Sequence, residues 1–171
     1  MFKNNGALKF AVSETCLGWV GVIASQNGLK KVILPQKSKR ALLDQIAQYG
    51  CKPENQDYGS LAVLANRLKR YLSGEPEDFS YKLDLSGTTR FQQIVWQIVR
   101  SIPSGETRSY GWVAGQLGLP KAARAVGRAV AENPVPIIIP CHRVVRGDGN
   151  LGGFGGGVET KKFLLNLERA A

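Results

Sequence analysis

The chain holds one histidine, His142, and it stands directly after Cys141, one of three cysteines, in the stretch PCHRVV at 140–145. An ordinary thiol has a pKa of about 8.5, so at neutral pH it needs a base or positive surroundings before it can act as a nucleophile. His142 offers the first, and Arg143 and Arg146 offer the second. The same pair also describes a buried cysteine beside a structural histidine, because adjacent side chains on an extended segment point to opposite faces. A carboxylate bears on the choice. The last stretch, ETKKFLLNLERA, reads as a helix with its apolar face at Phe163, Leu164 and Leu167, and Glu168 lies four residues after Leu164, bordering that face. A buried carboxylate needs a partner, and the single histidine is available. Cys141, His142 and Glu168 then form nucleophile, base and orienting acid; the competing reading leaves Glu168 exposed.

Between Cys141 and that helix runs GDGNLGGFGGGVE. Its glycines let backbone approach a ligand closely, and Phe154 can stack on a planar group such as a base. It lacks the lysine and helix start of a phosphate-binding P-loop. With one histidine and no CxxC, no zinc site of familiar spacing can be assembled, and Cys16, Cys51 and Cys141 are too irregularly spaced for a disulfide framework. The first residues, MFKNNGALKF, carry no apolar leader, and no stretch is long enough to span a bilayer, so a cytoplasmic protein without membrane contact is expected.

The net charge is +10, from 23 Lys and Arg against 13 Asp and Glu. Such an excess attracts polyanions, although many small proteins are simply basic. Lys121, Arg124, Arg128, Arg143 and Arg146 place much of it around the Cys-His pair.

The elements that must position these residues fall into two parts. In the first, LKFAVSET, GWVGVIAS and LKKVILP read as strands, with Asn27-Gly28 as a hairpin turn between the second and third. Helical spacing follows at Leu42, Ile46 and Tyr49, then at Leu61, Leu64, Ala65, Leu68 and Leu72, and FSYKLDL alternates as a further strand. In the second, Thr89 and Gln92 form a capping box ahead of an apolar stripe from Phe91 to Ile102. Ser109 caps a helix through Leu117, and Pro120 opens PKAARAVGRAVAEN, which stops before Asn133-Pro134. Two short helices around a glycine-containing turn have the form of a helix-turn-helix. The second is mostly Ala and Gly between Lys121 and Ala131, with Arg124 and Arg128 four residues apart, which suits either close packing with two solvated arginines or entry of a thin helix into a DNA groove. Three isoleucines, Ile137 to Ile139, call for a buried strand ending at Pro140. The expected architecture is an α/β N-terminal domain over 1–86, a small antiparallel sheet with helices, and a mostly α, winged-helix-like C-terminal domain over 87–171.

PCHRVV, with ARAVG and NPVP upstream and GGFGGG and KKFLLNLE downstream, resembles the O6-alkylguanine-DNA alkyltransferases, the methylated-DNA–protein-cysteine methyltransferases. The likeness is strong from Phe91 to Glu168. It is weaker in the first half, where TCLGWV is similar to a Thr-Pro-Leu-Gly turn with Cys16 in the proline position. The resemblance implies direct-reversal repair of double-stranded DNA containing alkylated guanine. The protein would bind through the minor groove, flip the damaged base out and move its alkyl group irreversibly to Cys141, in a single turnover. O4-alkylthymine is implied as a second substrate. His142, held by Glu168, would take the thiol proton through a water, and Asn133 would organise the active-site turn. Arg124 would fill the space left by the base, on a helix whose Ala123, Gly127 and Arg128 also face DNA. Tyr110 would donate to the base and hold the rotated phosphate. Val144, Phe154 and Gly155 would contact the guanine. No cofactor, metal or obligate protein partner is implied, and the protein is expected to be a monomer. Phe154 departs from the tyrosine of many members, so stacking is kept and a hydroxyl is lost.

Three other readings share some of these features. A non-catalytic lesion-binding relative would lack the cysteine. A transcription regulator would carry polar base-readers where this helix has Ala and Gly. A Cys-His hydrolase would turn over and would not need the basic helix.

Overall fold

A computed structural model describes residues 7–170, and the chain divides into two compact units after Asp84. The reading of the first six residues as carrying no apolar leader falls outside the described residues. No helix among them is long and apolar enough to cross a membrane.

In the first unit, β1 (Lys9–Thr15), β2 (Gly18–Ser25) and β3 (Gly28–Gln36) form an antiparallel sheet in that order, with Lys9 opposite Ala24 and Ser25 opposite Gly28. Gly28 has φ +143 and an added Cβ would lie 2.5 Å from the Lys82 carbonyl, so this turn accepts only glycine. Helices α1 (Lys39–Gln48) and α2 (Ser60–Leu72) pack on the sheet. Phe10, Ile23, Ile33, Leu42, Ile46 and Cys51 make one buried cluster. The strand expected at FSYKLDL does not form. Only Leu83 bridges to Leu29, with Leu29 N–H donating to Lys82 O (2.9 Å) and Asp84 N–H to Leu29 O (2.8 Å). Arg67 from α2 holds the first half of that stretch, lying over the rings of Phe79 and Tyr81, and bonds Glu77 just before it (2.7 Å).

The second unit is built on α3 (Arg90–Arg100), α4 (Tyr110–Gln116), α5 (Ala123–Ala131) and α6 (Val158–Ala170). The Thr89–Gln92 capping box is present in both directions, and Ser109 caps α4 by accepting from Trp112 N–H. α3 buries Val95, Trp96 and Val99, and the Trp96 indole N–H donates to Ala129 O of α5 at 2.7 Å. α5 starts three residues later than Pro120 suggests, because residues 119–122 close a turn in which Ala122 N–H bonds Leu119 O. α4 and α5 pack together around that turn as the helix pair of a helix-turn-helix.

Candidate active site

The three isoleucines do not form a strand. Pro136 and Pro140 bracket them, and the chain folds back so that Ile139 N–H donates to Val135 O (2.9 Å). Ile137 sits at φ +74, a left-handed conformation that β-branched residues avoid and that surrounding structure must impose. Asn133 supplies that constraint: its amide donates to Ile139 O (2.8 Å) while its Oδ1 accepts from Val135 N–H (2.9 Å). Cys141 N–H then bonds Ile139 O (2.7 Å) across Pro140 at φ −79, ψ 63, an inverse γ-turn. Cys141, His142 and Arg143 follow as a turn of 3-10 helix, not as the end of an extended element.

Cys141 is 6% exposed and His142 is fully buried. Burial pushes the thiol up, opposed by a hydrogen bond from Asn133 and by the positive field of Lys161. Burial likewise holds His142 below its ordinary value, with Glu168 pulling the other way. His142 Nε2 lies 2.8 Å from Glu168 Oε1. Glu168 also accepts from Arg143 Nη2 (2.8 Å, Oε1) and Nε (3.0 Å, Oε2), and Arg143 Nη1 donates to Ile102 O at 2.6 Å. A forked arginine contact favours the ionised carboxylate. With Glu168 ionised, Nε2 carries the imidazole proton and Nδ1 is the acceptor.

Two members of this centre are not marked as site residues by sequence reasoning. Arg143 reads there only as one of several flanking cations. Lys161 is fully buried, its ammonium donating to Val144 O (2.5 Å) and to Leu151 O, and burial brings its pKa down to about 8. The buried face of α6 is Lys161, Leu164, Leu165 and Glu168, with Phe163 and Leu167 only half-buried. The i, i+3, i+4, i+7 spacing from Lys161 to Glu168 was the available signal. A lysine at its head masked it.

Tyr110 reaches this centre through a short parallel pairing. β4 (Arg108–Ser109) runs beside β5 (Val144–Val145), with Arg108 opposite Val144, so α4 begins next to the turn that bears the thiol. Burial raises the Tyr110 hydroxyl, and the charge of Cys141 adds to the effect. Tyr110, Ala123, Arg124, Gly127 and Arg128 line one cavity of about 570 Å³ with Arg146 and Gly152. A methyl group at Gly127 would meet only the Tyr110 ring, at 3.9 Å, so glycine here leaves the cavity wide. Val144 is buried, and its carbonyl accepts from Lys161. Phe154 is half-buried and Gly155 exposed, in the loop before α6, outside the cavity lining. Among the described residues no three His, Cys, Asp or Glu side chains converge as metal ligands.

A helix-turn-helix that presents arginines, joined to a cysteine-histidine-glutamate array, defines a DNA-binding protein with a thiol nucleophile. Residues 90–170 match the model of the 6-O-methylguanine DNA methyltransferase DNA-binding domain. The methylated-DNA–protein-cysteine methyltransferase of Mycobacterium leprae is 50% identical over 72% of each chain. That of Methanosarcina acetivorans is 39% identical over 93% of this chain and 97% of its own. The crystal structure of the Mycobacterium tuberculosis O6-methylguanine methyltransferase aligns with TM-score 0.79 at 36% identity, over 95% of this chain and 93% of that one. M. tuberculosis OGT in complex with DNA aligns at 0.76 and 38% over the same shares. The chain belongs to the methylated-DNA–protein-cysteine methyltransferases, DNA-repair enzymes that move an alkyl group from DNA to a protein cysteine.

Proposed function

We propose that Cys141 is the acceptor cysteine and that each molecule reacts once with O6-alkylguanine in duplex DNA. The observation that carries this reading is the buried contact from His142 Nε2 to Glu168 Oε1, fixed by Arg143, one residue after a buried thiol. Glu168 sets the tautomer, and His142 Nδ1 takes the thiol proton, by way of a water in the family's pattern. The sulfur attacks the alkyl carbon in line. A carbon–sulfur bond forms, the carbon–O6 bond breaks, and its electron pair leaves on the guanine. Tyr110, kept protonated by burial, donates to the departing base. The thioether formed is stable, so each molecule is spent after one transfer.

The lesion must leave the stack to meet a buried thiol. Residues 87–171 act as the DNA-binding and transfer domain, approaching through the minor groove, with α5 thin enough at Ala123 and Gly127 for close approach and Arg124 filling the vacated space. Val144, Phe154 and Gly155 border the base, and Asn133 keeps the turn in shape. Residues 1–86 act as a supporting domain. O4-alkylthymine is a second substrate of the same chemistry, and the protein acts as a cytoplasmic monomer. The test is mass spectrometry after incubation with a duplex bearing one O6-methylguanine. The expected result is one added methyl group, on Cys141, saturating at one per protein. A bound duplex with an unmodified Cys141 would overturn the reading.

A further inference from the structure

The proposed mechanism uses the α5 side of the cavity and leaves its opposite wall unassigned. That wall is the loop after β5, where Arg146 N–H donates to Asn150 O (2.8 Å) and Gly149 N–H returns to Arg146 O (3.1 Å). Asp148 is the acid nearest in sequence, but its carboxylate turns to Asn150, accepting from the backbone N–H at 3.0 Å and from the side-chain amide at 2.8 Å. Among the described residues the Arg146 side chain makes no close ion pair or hydrogen bond, although its charge acts at longer range on Asp148 and on the Tyr110 hydroxyl. The Arg146 backbone is held by the two turn bonds, and its stem lies close to Gly152. Gly152, at φ +71, sits between it and Tyr110: a methyl there would come within 3.2 Å of the Tyr110 hydroxyl and 3.6 Å of Arg146 Cγ.

We infer that Arg146 is a positioning residue that grips a backbone phosphate of the flipped nucleotide, opposite Arg124 and Arg128 across the same cavity. The lining carries three arginines and no carboxylate. A base entering between α5 and this loop must bring its phosphodiester with it, and a guanidinium matches phosphate with two parallel N–H donors. An exposed guanidinium with no close hydrogen-bonded partner can make that contact without first breaking another.

This inference rests on the base-flipping reading above, and its test separates the two. The wild type and R146A are compared on an O6-methylguanine duplex, for methyl transfer and for the salt dependence of binding, and on free O6-methylguanine nucleobase, which has no phosphate. R146A should slow transfer from the duplex about tenfold, the size of one charge-assisted hydrogen bond. It should also flatten the plot of log K against log salt by about 0.9, one phosphate contact. Transfer from the free nucleobase should be unchanged. An unchanged salt slope would overturn the inference, as would an equal loss on duplex and nucleobase, which would make Arg146 part of the pocket that holds the base. Wild-type transfer to Cys141 reports on the flipping reading alone, whereas the difference in salt slope reports on Arg146 whether or not transfer occurs.

Discussion

Glu168 Oε1 stands 2.8 Å from His142 Nε2 and 2.8 Å from Arg143 Nη2, so one carboxylate oxygen on α6 ties the base to the cation that directly follows it in sequence. This shared oxygen explains how a glutamate near the chain's end governs a histidine 26 positions earlier. Substituting E168Q keeps the shape and removes the charge. Arg143 then stays largely buried without its counter-ion, and the imidazole loses the partner that fixes its tautomer. The expected result is a fall in methyl-transfer rate of about a hundredfold, typical of a general base put out of register. Stability should fall by about 3 kcal/mol in urea unfolding, the lower end for breaking a buried pair. A variant as stable and as fast as wild type would show the contact to be incidental.

Burial holds His142 below the ordinary imidazole value of 6.5 in the folded state. Two pH effects follow. The base stays neutral as pH falls past 6.5, so the transfer rate should hold there and decline only at lower pH. The unfolded chain, by contrast, takes up a proton on this histidine near pH 6.5 while the folded one does not. The contribution of neutral His142 to stability is therefore complete above the unfolded value and is lost as pH falls toward the depressed folded value. Unfolding free energies of wild type and H142N across this range should converge with acid; parallel curves would count against the shift.

Lys161 gives the opposite limb of the profile. Its pKa is about 8 when folded against 10.5 for an ordinary lysine, because burial penalises the ammonium. Between these values the unfolded chain binds the extra proton, so stability should rise with pH through that window. K161M should abolish the rise. Because Lys161 also supports the Cys141 thiolate, the same variant should raise the thiol pKa measured from thiolate absorbance against pH.

Gly152 makes a direct test of the Tyr110 position. Alanine there meets a left-handed backbone at φ +71 and lies 3.2 Å from the Tyr110 hydroxyl. The backbone conflict should cost about 1 kcal/mol. Displacing the hydroxyl should slow transfer from duplex and from free nucleobase alike, since the proton goes to the base in both. Loss on the duplex alone would move the role of Tyr110 to the phosphate.

The three strands, α3 with its Thr89–Gln92 box and the Ser109 cap of α4 are legible in the sequence because local chemistry decides them. Cys141 and His142 stand out because the chain has three cysteines and one histidine, and Glu168 because it borders the apolar face of the last helix. What the sequence hides are places where tertiary contacts override local preference. Ile137 to Ile139 have strong strand propensity, yet Asn133 and two prolines turn them back. FSYKLDL alternates correctly, but Arg67 binds its first half and only Leu83 pairs with the sheet. Lys161 reads as a solvated charge because nothing in the sequence places the carbonyls of Val144 and Leu151 around it.

Arg124 and Arg128 project from α5 four residues apart, and both are exposed. Their proposed roles differ, and so should their variants. Opening a base pair costs a few kcal/mol in lost stacking and pairing, and a side chain that fills the gap returns part of it. R124A should therefore slow transfer from an intact duplex by tenfold or more, taking about 1.4 kcal/mol as the share that the arginine restores. On single-stranded DNA with the same lesion there is no gap to fill, so R124A should lose far less. R128A, as a phosphate contact, should weaken binding to lesion-bearing and undamaged duplex equally and flatten the salt dependence by about 0.9. If R124A behaved like R128A on both substrates, α5 would be a basic face alone, and the flipped base would need another residue to hold its place in the stack.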